Sequence, residues 1–214
     1  MTALPNDYLR DPKAIYRESF AAISGDADVG ALPEEMRAVA LRVAHACGEG
    51  VAIDDLRWSD GAASVGRAAL AGGATILTDS RMVADGIIAP ALPSSNAVLC
   101  TLGVGSVRGM AARGDTTRSA AAVELWIPWL DGAVVAIGNA PTALFRLLEG
   151  LAAGWPKPAL IVGMPVGYVG AAEAKQALID ADPAPFIALT GRRGGSAVAA
   201  ATVNALALAQ SANP

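Results

Sequence analysis

From Ala74 onward, short apolar runs rich in β-branched residues alternate with longer alanine-rich stretches of helical period, and this pattern confines the chain to a parallel α/β sheet. The candidate strands are "ATILTD" from Ala74, "AVLCTL" from Ala97, "AVVAIGN" from Ala133, "PALIVGM" from Pro158 and "PFIALTG" from Pro185. Each is apolar at consecutive positions, which requires helices over both faces of the sheet. Stretches such as "APTALFRLLEGLAAG", ending at Gly154, and "GAAEAKQALIDA", ending near Asp182, supply those helices. No internal repeat or low-complexity linker interrupts the 214 residues. A chain of that length buries roughly 70% of its unfolded surface, so one domain over residues 1–214 is expected.

The first 73 residues read as mainly helical. Asp11 followed by Pro12 marks an N-cap and a first helical position, after which Ile15, Ser19, Ala22 and Ile23 share a face. A hydroxyl thus interrupts an apolar stripe. Spacing alone leaves Ser19 either bonded back to a carbonyl of its own helix or turned toward another group. A second helix opens at Pro33 in "PEEMRAVALRVAHAC" and closes at Gly48, with Met36, Val39, Ala40, Val43 and Cys47 as its buried stripe. His45, the single histidine of the chain, falls off that stripe on the side of Ala38 and Leu41. Histidine changes charge near neutrality, which makes a lone copy a candidate for proton transfer as well as an ordinary packed ring. Its place in the last turn sets it at the negative end of the helix dipole, which attracts a positive ring.

Several function classes are disfavoured by the same residues. A net charge of -4 argues against a nucleic-acid surface. Mean hydropathy is high at +0.42, yet no stretch approaches the roughly 20 apolar residues of a membrane span. The start "MTALPNDYLRDP" lacks the pattern of an export signal, and two cysteines, Cys47 and Cys100, make no disulfide framework, so a cytoplasmic protein is expected. His45 and Cys47 point to different sides of a helix, and no metal site is expected. Asp54 and Asp55 read as a solvated turn, and no strand leads into a G-x-S-x-G elbow. "GVGSVRG", Gly103 to Gly109, has the spacing G-x-G-x-x-x-G, with Glu124 in a helical run, and so departs from a dinucleotide fingerprint. "GRRGGS" from Gly191 lacks the lysine of a phosphate-binding loop.

Strand ends offer a different chemistry. Ligands of open α/β sheets bind outside the carboxyl ends of the strands. Asp79 and Arg81 follow the first candidate strand, Arg118 lies near a helix start in "GDTTRSAAA", and Arg192 and Arg193 follow the last strand. An acidic chain that gathers guanidinium groups on one rim is suited to a polycarboxylate.

The segments "AIYRESF", "RVAHACG", "TDSRMVADGI", "TRSAAAVELW", "AIGNAPTALFRLLE", "ALIVGMPVGYVGAAEAK" and "GRRGGSAVAAATVNAL" resemble, in order, the precorrin-8X methylmutase family. The resemblance runs from about Tyr8 to Leu208. It implies a single-domain, three-layer α/β/α fold with a five-stranded parallel sheet and a helical N-terminal segment. It also implies an isomerase of cobalamin biosynthesis that moves a methyl group from C11 to C12 of a tetrapyrrole without added cofactor. By the same resemblance the protein is a homodimer with active sites near the subunit interface, His45 is the acid/base residue and Ser19 contacts substrate. Arg118, Arg192 and Arg193 fall in segments that resemble the family's substrate-binding surface. The metal-free substrate precorrin-8X, its cobalt-containing counterpart and a non-catalytic tetrapyrrole carrier remain open at this point.

Overall fold

The computed structural model describes residues 8–208. Asp11 caps the first helix, α1 (Pro12–Asp26), by accepting from the backbone N–H groups of Lys13 and Ala14, as its position before Pro12 predicts. Helix α2 (Glu34–Cys47) follows, with Met36, Val39, Ala40 and Val43 fully buried and Cys47 half-buried. It stops at Gly48, whose left-handed φ of +70° lets its N–H turn back to the carbonyls of the last turn.

The five expected parallel strands are all present, as β2 (Ile76–Thr78), β3 (Val98–Cys100), β4 (Val134–Ile137), β5 (Leu160–Gly163) and β6 (Phe186–Leu189). The sheet nevertheless has six strands. A short β1 (Leu56–Trp58) pairs antiparallel with β6, giving the order β1-β6-β5-β4-β2-β3. Its three residues carry no β-branched side chain and have Arg57 at the centre, so the local sequence lacks a strand signal and the exposed edge of β6 decides it.

Helices α3 (Ala62–Ala71) and α9 (Ser196–Leu208) join α1 and α2 on one face of the sheet, over Ile76, Val134, Ala136, Leu160 and Val162. The alternate residues Leu77, Val135, Ile137 and Ile161 face α7 (Pro141–Ala152) and α8 (Ala171–Ala181) on the other. Both faces are therefore apolar, which explains the uninterrupted hydrophobic runs. Three shorter helices, α4 (Arg81–Gly86), α5 (Val107–Arg113) and α6 (Arg118–Glu124), complete the layers. Helix α9 is buried nearly all round and packs against α2, α3, α4 and the sheet. Its N-terminus comes so close to the end of β4 that a Cβ on Gly138 would lie 2.8 Å from Ala199 Cβ and from the Gly195 carbonyl.

No helix among the described residues is long and apolar enough to cross a membrane. Cys47 and Cys100 are both free. In the "WIPWL" segment, Trp126 is fully buried and donates from Nε1 to Thr101 Oγ1 at 2.9 Å, whereas Trp129 is half exposed.

Candidate active site

The Gly48 stop leaves His45 in the final turn of α2, exposed and off the buried stripe, as the helical period requires. Helix α1 crosses beside it. Ser19 Oγ lies 2.7 Å from His45 Nδ1, so this hydroxyl serves a ring 26 residues away and not its own helix. Tyr16 stacks on the imidazole at 5.6 Å between centroids, and Phe20 meets it edge-on at 5.8 Å. Tyr16, Ser19 and Phe20 are spaced i, i+3, i+4, which puts all three on one side of α1. The expected stripe is rotated accordingly: Ile23 is buried, but Ile15 and Ala22 are exposed.

His45 lines a groove of about 250 Å³ bounded by Tyr16, Arg42 and Ala46 on one side and by Ala197, Ala201 and Asn204 on the other. Gly86, the last residue of α4, and Ile88, two positions on, line one end. Asn204 holds that end in place, accepting from Ile88 N at 2.8 Å and donating to the Gly86 carbonyl at 2.9 Å. A second groove of about 210 Å³ shares Ala46 and Ala197 with the first and continues to Cys47, Glu49, Val166 and Arg193. Each falls below the roughly 300–1,000 Å³ of pockets that enclose a drug-sized ligand. Neither groove by itself encloses a large ligand.

The rim arginines are in different electrostatic states. Arg193 is committed to two carboxylates, Nε to Glu49 at 3.0 Å and Nη1 to Asp55 at 2.6 Å. The backbone carbonyl of Arg193 accepts from Lys175 Nζ, a fully buried ammonium of α8. Burial lowers the Lys175 pKa to about 8, against the opposing pull of Asp55 and the Cys47 thiol. Burial, with help from Glu49, raises the Cys47 pKa, while Arg193 and Lys175 oppose the shift. Arg192 is exposed and lies over the Tyr168 ring at 5.2 Å. Arg81 opens α4 as an exposed residue. Arg118 opens α6 and lines a separate cavity beyond the end of β3. From the end of β6 to that of β3 there are four strand spacings, ~19 Å, so one chain does not gather these arginines into a single pocket.

Asp79 stands apart from the surface. It is 3% exposed and caps the loop after β4, its oxygens accepting from the N–H groups of Gly138, Asn139 and Ala140 at 3.0, 2.9 and 2.7 Å. Burial raises its pKa, and those backbone bonds work against the rise. Its carboxylate shapes the rim and faces protein.

Tyr16, Phe20, Arg42 and Asn204 also surround His45, and Lys175 lies behind Arg193; all five fall within the segments that carry the resemblance, though the sequence reading gave them no role. The spacing of "YRESF" contains the signal for the two aromatics, because any partner that faces Ser19 must also face their side of the helix. Asn204 and Lys175 sit in alanine-rich helical runs, where a lone polar residue among apolar neighbours is the available clue.

Comparison with known proteins agrees with this architecture. Residues 14–209 match the family described as precorrin-8X methylmutase. A protein of Pseudomonas aeruginosa named precorrin-8X methylmutase is 56% identical over 94% of this chain and 97% of its own length. One of Sinorhizobium with the same name is 52% identical over 94% and 96%. A cobalt-precorrin-8 methylmutase of Salmonella typhimurium is 36% identical over 93% and 96%. The crystal structure of a precorrin-8X methylmutase from Thermus thermophilus superposes with a TM-score of 0.81 at 38% identity, covering 92% of this chain and 98% of that one.

Proposed function

The chain belongs to the precorrin-8X methylmutase family, and from that premise we propose how it performs the family's reaction and with which residues. It is an isomerase of cobalamin biosynthesis that transfers the methyl group at C11 of the macrocycle to C12, giving hydrogenobyrinate. The C11–methyl bond breaks as the C12–methyl bond forms, formally a [1,5]-sigmatropic shift, so neither a methyl donor nor a redox partner enters the balance. What the protein contributes is control of the ring's protonation and shape.

The observation that carries this reading is the contact between Ser19 Oγ and His45 Nδ1 at the mouth of a groove. With the hydroxyl donating to Nδ1, the imidazole keeps its hydrogen on Nε2, which is then available to a nitrogen or carbon next to the migrating centre. Tyr16 and Phe20 hold the ring plane. General acid/base help of this kind is worth about 10²- to 10⁴-fold in rate, and positioning of the macrocycle adds to it. Arg192 and Arg118, which lack carboxylate partners among the described residues, are the guanidinium groups suited to peripheral acetate and propionate groups. Arg81, exposed at the start of α4, adds positive charge to the same rim.

The metal-free substrate is favoured over the cobalt-containing one because the relatives at 56% and 52% identity carry the name of the former, and that at 36% the name of the latter. A homodimer is part of the proposal. It is supported by grooves too small for a whole tetrapyrrole and by Ile88, which lines the first of them and stands 43% exposed. The two free cysteines suit a cytoplasmic setting.

Incubating the protein with precorrin-8X and following the absorbance of the orange product tests the activity. A carrier would bind without converting, and conversion of cobalt-precorrin-8 alone would move the substrate assignment to the cobalt branch.

A further inference from the structure

The cavity beyond β3 holds two guanidinium groups that no carboxylate among the described residues neutralises. Arg108 and Arg118 both line it, beside Leu102, Val107 and the Gly103 to Gly105 turn, around a volume of about 310 Å³. Every ion pair among the described residues leaves these two arginines out, although the chain has 20 acidic residues to 16 basic ones. Arg118 makes one long bond, from Nη2 to the Leu102 carbonyl at 3.5 Å. Two like charges sharing a cavity in an acidic protein form a local site for an anion.

A second, independent observation comes from Gly103 and Gly105. Neither has a left-handed φ, and a Cβ built on either would meet no atom within 4 Å. Neither backbone conformation nor packing therefore demands glycine at these positions. The remaining reason for a bare backbone is the close approach of something outside the chain.

We propose that this cavity is a carboxylate-binding site, in which Arg108 and Arg118 grip one acid group from two sides while the glycine turn gives it room to enter. Planar guanidinium groups match a carboxylate by paired, charge-assisted hydrogen bonds. The acid group has two possible sources: the rim of the macrocycle, which rests on the proposed function, or a free small organic acid, which does not. Arg108 is the residue that the family resemblance leaves unassigned.

Equilibrium binding of two probes, hydrogenobyrinate and citrate, is measured on the full-length wild type and on Arg108→Gln, Arg118→Gln, Gly105→Val and Lys157→Gln. Lys157 lies just before the amino end of β5, whereas the cavity lies beyond the carboxyl end of β3 in the same parallel sheet, so its variant removes the same charge away from the cavity. Gly105→Val fills the entrance where its Cβ meets no protein atom, which keeps the test independent of folding defects. The two arginine variants and Gly105→Val should each raise the Kd for hydrogenobyrinate about tenfold and flatten its salt dependence, with Lys157→Gln near wild type. If citrate binding falls and hydrogenobyrinate binding does not, the site stands and its ligand is a free acid. Unchanged affinity for both probes, an effect of Arg118→Gln without one of Arg108→Gln, or an equal effect of Lys157→Gln overturns the proposal. Conversion of precorrin-8X by wild type, assayed alongside, reports on the functional reading separately.

Discussion

Ser19 and His45 meet through a 2.7 Å contact between Oγ and Nδ1, joining a helix that begins the described chain to the last turn of the next one. The contact orients an exposed ring without burying it, so its chemistry can be separated from the stability of the fold.

Replacing His45 by Ala should lower the rate of methyl migration by about 10²- to 10⁴-fold while leaving the unfolding midpoint and the affinity for product close to wild type. Ser19→Ala should cost less, because the ring keeps its aromatic neighbours. The Ser19→Ala/His45→Ala double variant should be no slower than His45→Ala alone, since the hydroxyl acts through the ring. Single-turnover kinetics on all three proteins measures this, and additive losses would show that Ser19 has a separate task.

Asp79→Asn should reduce stability and leave product affinity unchanged. An amide in that place presents an NH2 group to backbone donors that now point at carboxylate oxygens, at a cost of about 1–3 kcal/mol. Because burial raises the folded pKa of Asp79 above its unfolded value, the folded state binds the extra proton more readily, and this residue's contribution to stability decreases as pH rises through that window. Urea unfolding from pH 4 upward should show this decline in wild type and lose it in the variant.

Lys175 gives the opposite slope. Its folded pKa of about 8 lies below the ordinary 10.5, so the unfolded chain holds more protons between the two values and stability attributable to this residue rises across that interval. Below pH 8 the buried ammonium is a net cost to folding, and the Arg193 carbonyl is its hydrogen-bond partner. The stability of wild type relative to Lys175→Met should therefore increase between pH 7.5 and pH 9.5, as read from denaturant midpoints. A flat difference would mean that the ammonium is not desolvated.

The adjacent arginines should behave differently. Arg193→Gln breaks pairs with Glu49 and Asp55 that are partly exposed, and should reduce stability by about 1 kcal/mol with a small change in product affinity. Arg192→Gln, which removes a guanidinium without a carboxylate partner among the described residues, should instead weaken product binding and reduce its salt dependence. Isothermal titration at two salt concentrations, with thermal unfolding in parallel, separates the two.

The amino-acid order by itself determined the five parallel strands, the helices that cover them and the position of His45 off the buried face of α2. Those features depend on apolar periodicity, capping by Asp11 and termination by Gly48, all of which act within a few residues. Only the tertiary structure decided that Leu56–Trp58 would pair as an antiparallel edge, that Ser19 would reach His45, and that Asp79 would turn inward to the backbone. It also decided that Arg193 would be neutralised while Arg108 and Arg118 make no ion pair among the described residues. An edge strand, a hydrogen bond across 26 positions and the charge state of a cluster each depend on groups from distant parts of the chain, and local propensity carries no record of which distant groups will meet.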